Sequence, residues 1–389
     1  MARTRKTSQR SIFEEVGDDS ATRQPAPQTG VIDRAARRGA RRGIRLWLMA
    51  LFALVVVMIA VGGLTRLTDS GLSITEWNPV MGALPPLSEA DWQAEFEKYR
   101  QIPEYQLQNR GMSMAEFKVI YWWEWGHRQL GRVIGLVWAL GFLGFLAARQ
   151  IPPGWTGRLL GIGVLGGLQG AIGWWMVSSG LAPGMLDVAS YRLAVHLGLA
   201  FVILGLLAWW INALARPESD LIQARRVRER GPKAAATAVM HIGFLQILLG
   251  ALVAGIDAGR TYTDWPLMAG GFLPPDLFAL EPVWRNFFED PGLVQFLHRM
   301  IGYLLLVAGI VAWTVGRRSA HPRTRAAFTA MAGVLGAQIV LGIGTVMMAA
   351  PWWMAILHQL TAVALWALIL RARFLGMYPV ATSIREGRA

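Results

Sequence analysis

Residues 118–147 read KVIYWWEWGHRQLGRVIGLVWALGFLGFLA, a largely apolar run with His127 near its start. At 1.5 Å per residue, a helix of this length is longer than the roughly 30 Å hydrocarbon core of a bilayer. The sequence therefore predicts an all-α polytopic membrane protein with eight transmembrane helices. The other seven predicted spans are 45–64, 158–177, 190–214, 234–255, 293–315, 326–349 and 352–370.

The net charge of +13 alternates with the predicted membrane crossings. Loops 65–117 and 256–292 hold eight and six acids against four and two bases. Lys and Arg dominate the intervening segments: eleven in 1–45, six in 215–233, four in 316–325 and four in 371–389. This positive-inside pattern places both termini in the cytoplasm. We therefore expect contact with the lipid bilayer and no nucleic-acid partner.

The chain has no cysteine, which excludes disulfide bonds, thiolate metal ligands and thiol catalysis. Residues 1–43 combine many arginines with an acidic cluster and a Pro/Gln/Gly stretch, so they are predicted to form a disordered basic cytoplasmic tail. The run 45–64 is too long and too far from the terminus to be a cleaved signal peptide.

The second half of the sequence repeats the first. TEWNPVMGALPP at 75–86 follows the first apolar run, and TDWPLMAGGFLPP at 263–275 follows the fifth. Because the repeat unit contains four helices, both copies run in the same direction through the membrane. We predict two parallel-repeated four-helix bundles, with tightly packed glycine-rich helices at 158–177 and 326–349. The predicted N-terminal half is 44–215, the cytoplasmic linker 216–233, the C-terminal half 234–376 and the cytoplasmic tail 377–389.

Four histidines open four of the apolar runs, at matching places in the two halves. Three lie about 20 residues before the arginine that follows the end of their apolar run, roughly 28–33 Å from the cytoplasmic edge. The spacings are 22 residues from His127 to Arg149, 20 from His196 to Arg216, 19 from His298 to Arg317 and 13 from His358 to Arg371. The last spacing, about 20 Å, fits a common depth less well.

Two imidazoles at similar depth on different helices can bind one haem iron axially. The alternative for a single histidine in a membrane helix is a hydrogen-bonding core residue. The recurrence of the pattern in both halves favours two haem sites, His127 with His196 and His298 with His358.

Glu124 is the one acid within the eight apolar runs and lies three residues before His127, on the same helix face. Two interpretations stay open: a carboxylate that accepts a proton or stabilises positive charge, or an i,i+4 pair with Arg128. Arg128 and Arg299 each follow a histidine and can bind haem propionates or lipid phosphates.

Several segments resemble the haem A synthase family, in its mitochondrial-like and alphaproteobacterial branch. They are Gly62–Ser73 (GGLTRLTDSGLS), Glu76–Pro79 (EWNP) and Glu124–Arg128 (EWGHR), and the resemblance extends from about 44 to 376. Some bacterial members have a cysteine pair in the first external loop, which this chain lacks.

The resemblance implies an oxidoreductase that converts the C8 methyl group of haem O to the formyl group of haem A for terminal oxidase assembly. It implies a haem b cofactor on His298 and His358, substrate haem between His127 and His196, and Glu124 as the catalytic carboxylate. It also implies a reductant such as a ferredoxin, and contact with haem O synthase.

Two other functions would fit paired histidines: a diheme b-type electron-transfer cytochrome, and a haem carrier or exporter. For location we expect the bacterial inner membrane, with the mitochondrial inner membrane as the alternative.

Overall fold

The computed structural model describes residues 31–275 and 277–381, which form helices and loops with no β-strand in those ranges. Eight helices are long and apolar enough to cross a membrane, so the predicted all-α membrane fold is confirmed. They are α1 (Val31–Leu67), α4 (Met114–Ala147), α5 (Thr156–Gly180), α6 (Ser190–Leu214), α8 (Arg230–Gly255), α10 (Pro291–Gly316), α11 (Pro322–Met347) and α12 (Trp352–Met377). The shorter helices are α2 (Glu89–Arg100), α3 (Pro103–Leu107), α7 (Glu218–Arg226) and α9 (Asn286–Glu289).

Sequence signals at the helix starts explain several of these boundaries. Ser88 and Ser113 form capping boxes, in which the serine accepts a hydrogen bond from the third helical residue and an acid there binds back. Asp290 caps α10 in front of Pro291, whose missing N–H costs nothing in the first turn. These caps define the first residues of α2, α4 and α10. The starts of these helices lie on the same side of the structure as the histidines.

Three predicted boundaries change in the structure. Residues 31–43 are helical because α1 begins at Val31, whereas we expected them to be disordered; residues 1–30 and 382–389 lie outside the described ranges. The linker 216–233 contains α7 and the first residues of α8. Finally, α12 continues past Arg371 to Met377.

The eight long helices pack in two rings of four. In the first ring α1, α4, α5 and α6 each contact the next helix, and α6 returns to α1; α8, α10, α11 and α12 do the same in the second. The histidine-bearing helices α4 and α6, and likewise α10 and α12, therefore lie diagonally across their rings. This packing agrees with two four-helix bundles, while the duplication and the domain limits stay predictions.

The two rings meet along α6 and α12, with α1 and α8 beside them. Trp366 in α12 donates to the carbonyl of Phe201 in α6 at 3.0 Å. Gln359 in α12 donates to the carbonyl of Ile59 in α1 at 2.8 Å. One buried apolar cluster includes residues of both halves, so the rings share a core.

The glycine-rich helices α5 and α11 make close contacts at only some of their glycines. A β-carbon on the others would meet no atom of the described chain within 4 Å; these are Gly157, Gly161, Gly166, Gly167, Gly170, Gly333 and Gly336. A few glycines instead accommodate a bulky side chain, as Gly163 does for Trp138. The predicted close packing is therefore found at some glycines of these helices and not along their whole length.

Candidate functional site

The four histidines lie at one common distance from the ends of their helices. The last residue of each helix follows its histidine by 20 positions at Ala147, 18 at Leu214, 18 at Gly316 and 19 at Met377. These spans correspond to about 27–30 Å along a helix. The sequence suggested a shorter depth for His358 because Arg371 was taken as the end of its helix. Since α12 continues to Met377, His358 lies about as far from its helix end as the other three histidines.

Each histidine ring lies against a glycine of a neighbouring helix. A β-carbon at any of these glycines would come within 2.9–3.2 Å of a ring atom, closer than ordinary van der Waals contact. The pairs are Gly62 with His127, Gly173 with His196, Gly250 with His298 and Gly342 with His358. A larger residue at these positions would therefore displace the imidazole.

Three of the imidazoles also contact a glutamine amide. The closest nitrogen-to-nitrogen distances are 3.2 Å for Gln169 and His196, 3.2 Å for Gln246 and His298, and 3.1 Å for Gln338 and His358. The amide oxygen of each glutamine is buried and has no hydrogen-bond partner in the described part of the chain. Unpaired buried polar atoms are uncommon in native proteins and often mark a missing partner.

The two histidines of each ring lie on helices that are diagonal to one another, at similar distances from the helix ends. In the second ring a cavity of about 40 Å³ lies between all four helices, and Gln246 and Gln338 line it. The interior beside these two glutamines is therefore incompletely filled by the chain's own side chains.

Glu124 is buried, with 3% of its surface exposed, and accepts four hydrogen bonds. Ser73 Oγ and the Ile74 backbone N–H donate to Oε2 at 2.8 and 2.7 Å. Arg128 donates to Oε1 through Nη2 at 2.6 Å and Nε at 3.0 Å. Glu124 and Arg128 therefore form the i,i+4 pair. Their hydrogen bonds with Ser73 and Ile74 attach the first external loop to α4.

Gln295 occupies the corresponding position in the second ring, three residues before His298. Its Nε2 donates to the carbonyls of Ala258 and Tyr262 at 2.8 and 3.1 Å, and its Oε1 accepts from Arg299 at 3.2 Å. Gln295 thus donates to carbonyls of the second external loop, whereas Glu124 accepts from donors of the first. Each side chain matches the polar groups that its own loop presents.

The two arginines bind mainly to loop carbonyls. Arg128 donates to the carbonyls of Glu76 and Ile74, both at 2.7 Å, and Arg299 donates to those of Leu267 and Tyr262, both at 3.0 Å. The Nε of Arg299 is buried and has no partner among the described residues. Arg299 therefore has a free donor for an anion, whereas the Nε of Arg128 is already bound to Glu124.

The structure brings Glu124 and Arg128 together, which is one of the two interpretations left open for Glu124, and it adds residues that sequence reasoning missed. Ser73 and the three glutamines are the additions with direct polar contacts. A detectable signal existed, because each glutamine lies four residues before the glycine that faces a histidine. The pattern QxxxG occurs at 169–173, 246–250 and 338–342.

These features fit a haem at each histidine pair. Imidazole nitrogens are suitable axial ligands for haem iron, and the glycines hold the rings in position. The amide nitrogens of Gln169, Gln246 and Gln338 lie within 3.5 Å of both nitrogens of their imidazole, so each amide packs on the ring and helps to fix its orientation.

The comparisons with known proteins agree on one family. The model of the COX15-CtaA family, described as cytochrome oxidase assembly protein, matches residues 45–370. A heme A synthase from Dinoroseobacter shibae is 69% identical over 97% of this chain and 99% of its own length. Those from Ruegeria pomeroyi and Cereibacter sphaeroides are 68% and 62% identical, over 97% of this chain and 100% and 98% of theirs. The chain belongs to the COX15-CtaA family of cytochrome oxidase assembly proteins.

Proposed function

We propose that this protein is a haem A synthase, which oxidises the C8 methyl group of haem O to the formyl group of haem A for terminal oxidase assembly. The observation that carries the proposal is the difference between two otherwise matching sites. Both have paired histidines facing glycines, but the first has an acid, Glu124, where the second has the amide Gln295. Relatives that are 61–69% identical are named heme A synthase.

The substrate haem is placed between His127 and His196, because this is the pair with a carboxylate one helical turn away. Conversion of a methyl to a formyl group replaces two C–H bonds with a C=O bond, a four-electron oxidation that takes up one oxygen atom from water or dioxygen. Written with water, R–CH3 + H2O gives R–CHO, four protons and four electrons, so the site needs an electron acceptor and a base that takes up protons. A buried carboxylate fixed by four donors can accept a proton or stabilise positive charge that develops nearby. Glu124 is therefore the proposed catalytic residue, and Ser73 and Arg128 orient it.

The cofactor haem b is placed on His298 and His358. Gln246 and Gln338 contact these ligands, and no acid occupies the position of Gln295. When bound, this group supplies the one-electron redox chemistry that side chains lack. The unpaired Nε of Arg299 can donate to a propionate here, while Arg128 serves chiefly to orient Glu124.

A short connection between the halves supports electron transfer between the two sites. Gln359, which follows His358, donates to Ile59 of α1 at 2.8 Å. A β-carbon at Gly63 would overlap the side chain of Gln359, and Gly63 follows the glycine that faces His127. The two sites are thus linked through one helix contact.

The remaining elements of the proposal concern location and partners. Eight membrane helices and alphaproteobacterial relatives support the bacterial inner membrane, and the basic loops support cytoplasmic termini. A ferredoxin-type reductant and contact with haem O synthase are proposed from the family resemblance.

The test is expression of the full chain in cells that make haem O but lack their own haem A synthase. Extracted pigments are then separated by chromatography. The proposal expects haem A to appear. Recovery of unchanged haem O with two haems retained would support a diheme electron-transfer cytochrome. Haem O released to an acceptor without oxidation would support a carrier.

A further inference from the structure

The segment that joins the two rings carries a cluster of arginines. Arg225 and Arg226 end α7, Arg228 follows it, and Arg230 begins α8. Together with Ile222 they line a groove of about 360 Å³. The groove lies at the ends of α6 and α8 that are away from the histidines, so neither haem site includes it.

The second ring holds this segment in place. Leu221 packs against a buried apolar cluster of the second ring, and Ala224 is buried. The backbone N–H of Glu229 donates to the carbonyl of Gly376, at the end of α12, at 3.2 Å. Contacts on both sides of the arginines therefore fix the backbone that presents them.

The positive charge of the groove is not balanced by nearby acids. Glu229, which lies between the arginines in sequence, accepts from Ser319 Oγ and, at 3.0 Å, from the backbone N–H of Ala320. Glu218 and Asp220 lie in the first turn of α7, at the other end of that helix. Within the described ranges no carboxylate oxygen lies within 4.0 Å of the four guanidinium groups. An anion with several acceptor oxygens would therefore find unpaired donors here.

The groove lies at the surface of the membrane. Helix α7 begins four positions after α6 ends at Leu214, and α8 begins four positions after α7 ends at Arg226. Two apolar side chains beside the arginines are exposed, Ile222 by 54% and Val227 by 62%. Arginine clusters directly next to a membrane helix are typical of sites for anionic lipid headgroups. The exposed apolar side chains match an acyl chain, which a water-soluble anion lacks.

We propose that this groove binds the headgroup of an anionic phospholipid. The four arginines hold the phosphate, and Ile222 contacts the acyl chains. The bound lipid attaches the linker between the two rings to the membrane surface. This site is independent of the proposed haem chemistry, because it shares no residue with either histidine pair.

The test uses the purified full chain in a neutral detergent, with bound lipid counted by native mass spectrometry. The probe is dioctanoyl phosphatidylglycerol. Dioctanoyl phosphatidylcholine has the same chains without the net charge, and glycerol phosphate has the anion without the chains. We expect phosphatidylglycerol to bind about tenfold or more tightly than either comparison compound.

Two double variants separate the groove from the overall charge of the protein. Arg225→Gln with Arg226→Gln should lower the affinity for phosphatidylglycerol by about tenfold or more, because both side chains line the groove. Arg318→Gln with Arg323→Gln is the matched control, since it removes the same charge from exposed residues outside the groove and should leave the affinity nearly unchanged. Ile222→Ser should weaken binding of phosphatidylglycerol but not of glycerol phosphate.

The unfolding midpoint of each variant is measured alongside, and Arg228→Gln with Arg230→Gln replaces the first pair if that pair is unstable. Equal losses of affinity in the groove and control variants would overturn the proposal in favour of general charge attraction. Glycerol phosphate bound as tightly as phosphatidylglycerol would overturn it in favour of a site for a soluble anion. Absence of phosphatidylglycerol binding to the unaltered chain would also overturn it, and would leave an acidic protein as the partner that fits the charge.

Discussion

At the scale of single residues, Glu124 and Gln295 occupy the same position relative to a histidine and an arginine. Each attaches an external loop to its helix through hydrogen bonds of ordinary length. Gln295 donates to loop carbonyls, whereas both oxygens of Glu124 accept from donors. A neutral isostere at Glu124 therefore keeps the size of the side chain but places its NH2 group against a donor, so it weakens the loop attachment and also removes the charge.

Glu124→Gln should lower the stability by about 1–3 kcal/mol, because its amide nitrogen faces a donor. It should still fold, keep both haems, and form haem A at a rate lower by about 10²-fold or more, as expected for loss of a general acid–base group. The measurement is haem A per chain in extracted pigment, together with the thermal unfolding midpoint in detergent. Ser73→Ala is the control, since it removes one hydrogen bond and should cost about 1 kcal/mol of stability. Wild-type haem A yield from Glu124→Gln would exclude a catalytic role for this carboxylate.

The histidines and Glu124 could be predicted from the sequence because imidazoles and acids are rare within apolar runs. The glutamines were harder to recognise, since an amide in a membrane helix has no charge to mark it. Their role depends on a contact with another helix, which spacing within one helix does not reveal.

At the scale of secondary structure, the glycines facing the histidines matter more than the glycine content of their helices. Gly342 and Gly336 both lie in α11, but a β-carbon at Gly342 would come 3.0 Å from His358 Cε1, and one at Gly336 would meet no described atom. The two positions thus provide a matched pair for substitution.

Gly342→Ala should displace the His358 ring, cost about 1–3 kcal/mol through overpacking, and lower haem b retention. Gly336→Ala should keep the haem and be neutral or stabilising by up to about 1 kcal/mol, because alanine favours helix. Haem content from the reduced absorption spectrum is the measurement. Equal retention in both variants would show that Gly342 does not position His358.

The first external loop contains a buried acid in α3. Glu104 is 3% exposed, and its Oε2 has no partner within the described ranges. Tyr99 Oη donates to its Oε1 at 3.3 Å. Burial raises the pKa of Glu104 from its ordinary 4.5 to about 8.

The folded protein therefore holds the Glu104 proton more tightly than the unfolded chain does. This contribution to stability is complete below pH 4.5 and is lost as the pH rises through about 8. We expect the thermal unfolding midpoint to decrease as the pH is raised from about 5 to about 9. This decrease should be smaller for Glu104→Gln. Glu97→Gln, an exposed acid of α2, is the control. An identical pH profile for wild type and Glu104→Gln would contradict this expectation.

At the scale of the whole molecule, an ion-pair cluster joins the two halves on the side of the external loops. Arg66, at the end of α1, pairs with Asp69 and Asp257 at 2.9 Å each and with Asp187 at 3.6 Å. Its side chain is 15% exposed. Asp257 follows α8, so this contact crosses from the first ring to the second.

Arg66→Ala should lower the stability of the protein by roughly 1–3 kcal/mol, because hydrogen bonds to charged groups are lost at a partly buried site. Arg285→Ala, which removes a half-exposed pair with Glu289, should cost about 0–1 kcal/mol. Thermal unfolding in detergent compares them. A midpoint for Arg66→Ala no lower than that for Arg285→Ala would show that the cluster does not hold the halves together.

The sequence predicts the eight membrane helices because long apolar runs leave few alternatives. The helix ends were less accurate: α1 extends back to Val31 through a charged segment, and α12 continues past Arg371. The contact of α6 with α12 could not be inferred, since every helix face here is apolar and hydropathy does not distinguish lipid from protein.

The central claim is that the two histidine pairs hold different haems, one as cofactor and one as substrate. The most direct measurement is haem content per purified chain, by difference spectroscopy and pigment extraction, for alanine variants of each histidine. The account predicts that His298→Ala and His358→Ala lose the b-type haem. His127→Ala and His196→Ala should retain it and form no haem A. Loss of the same haem from variants of both pairs would contradict the claim.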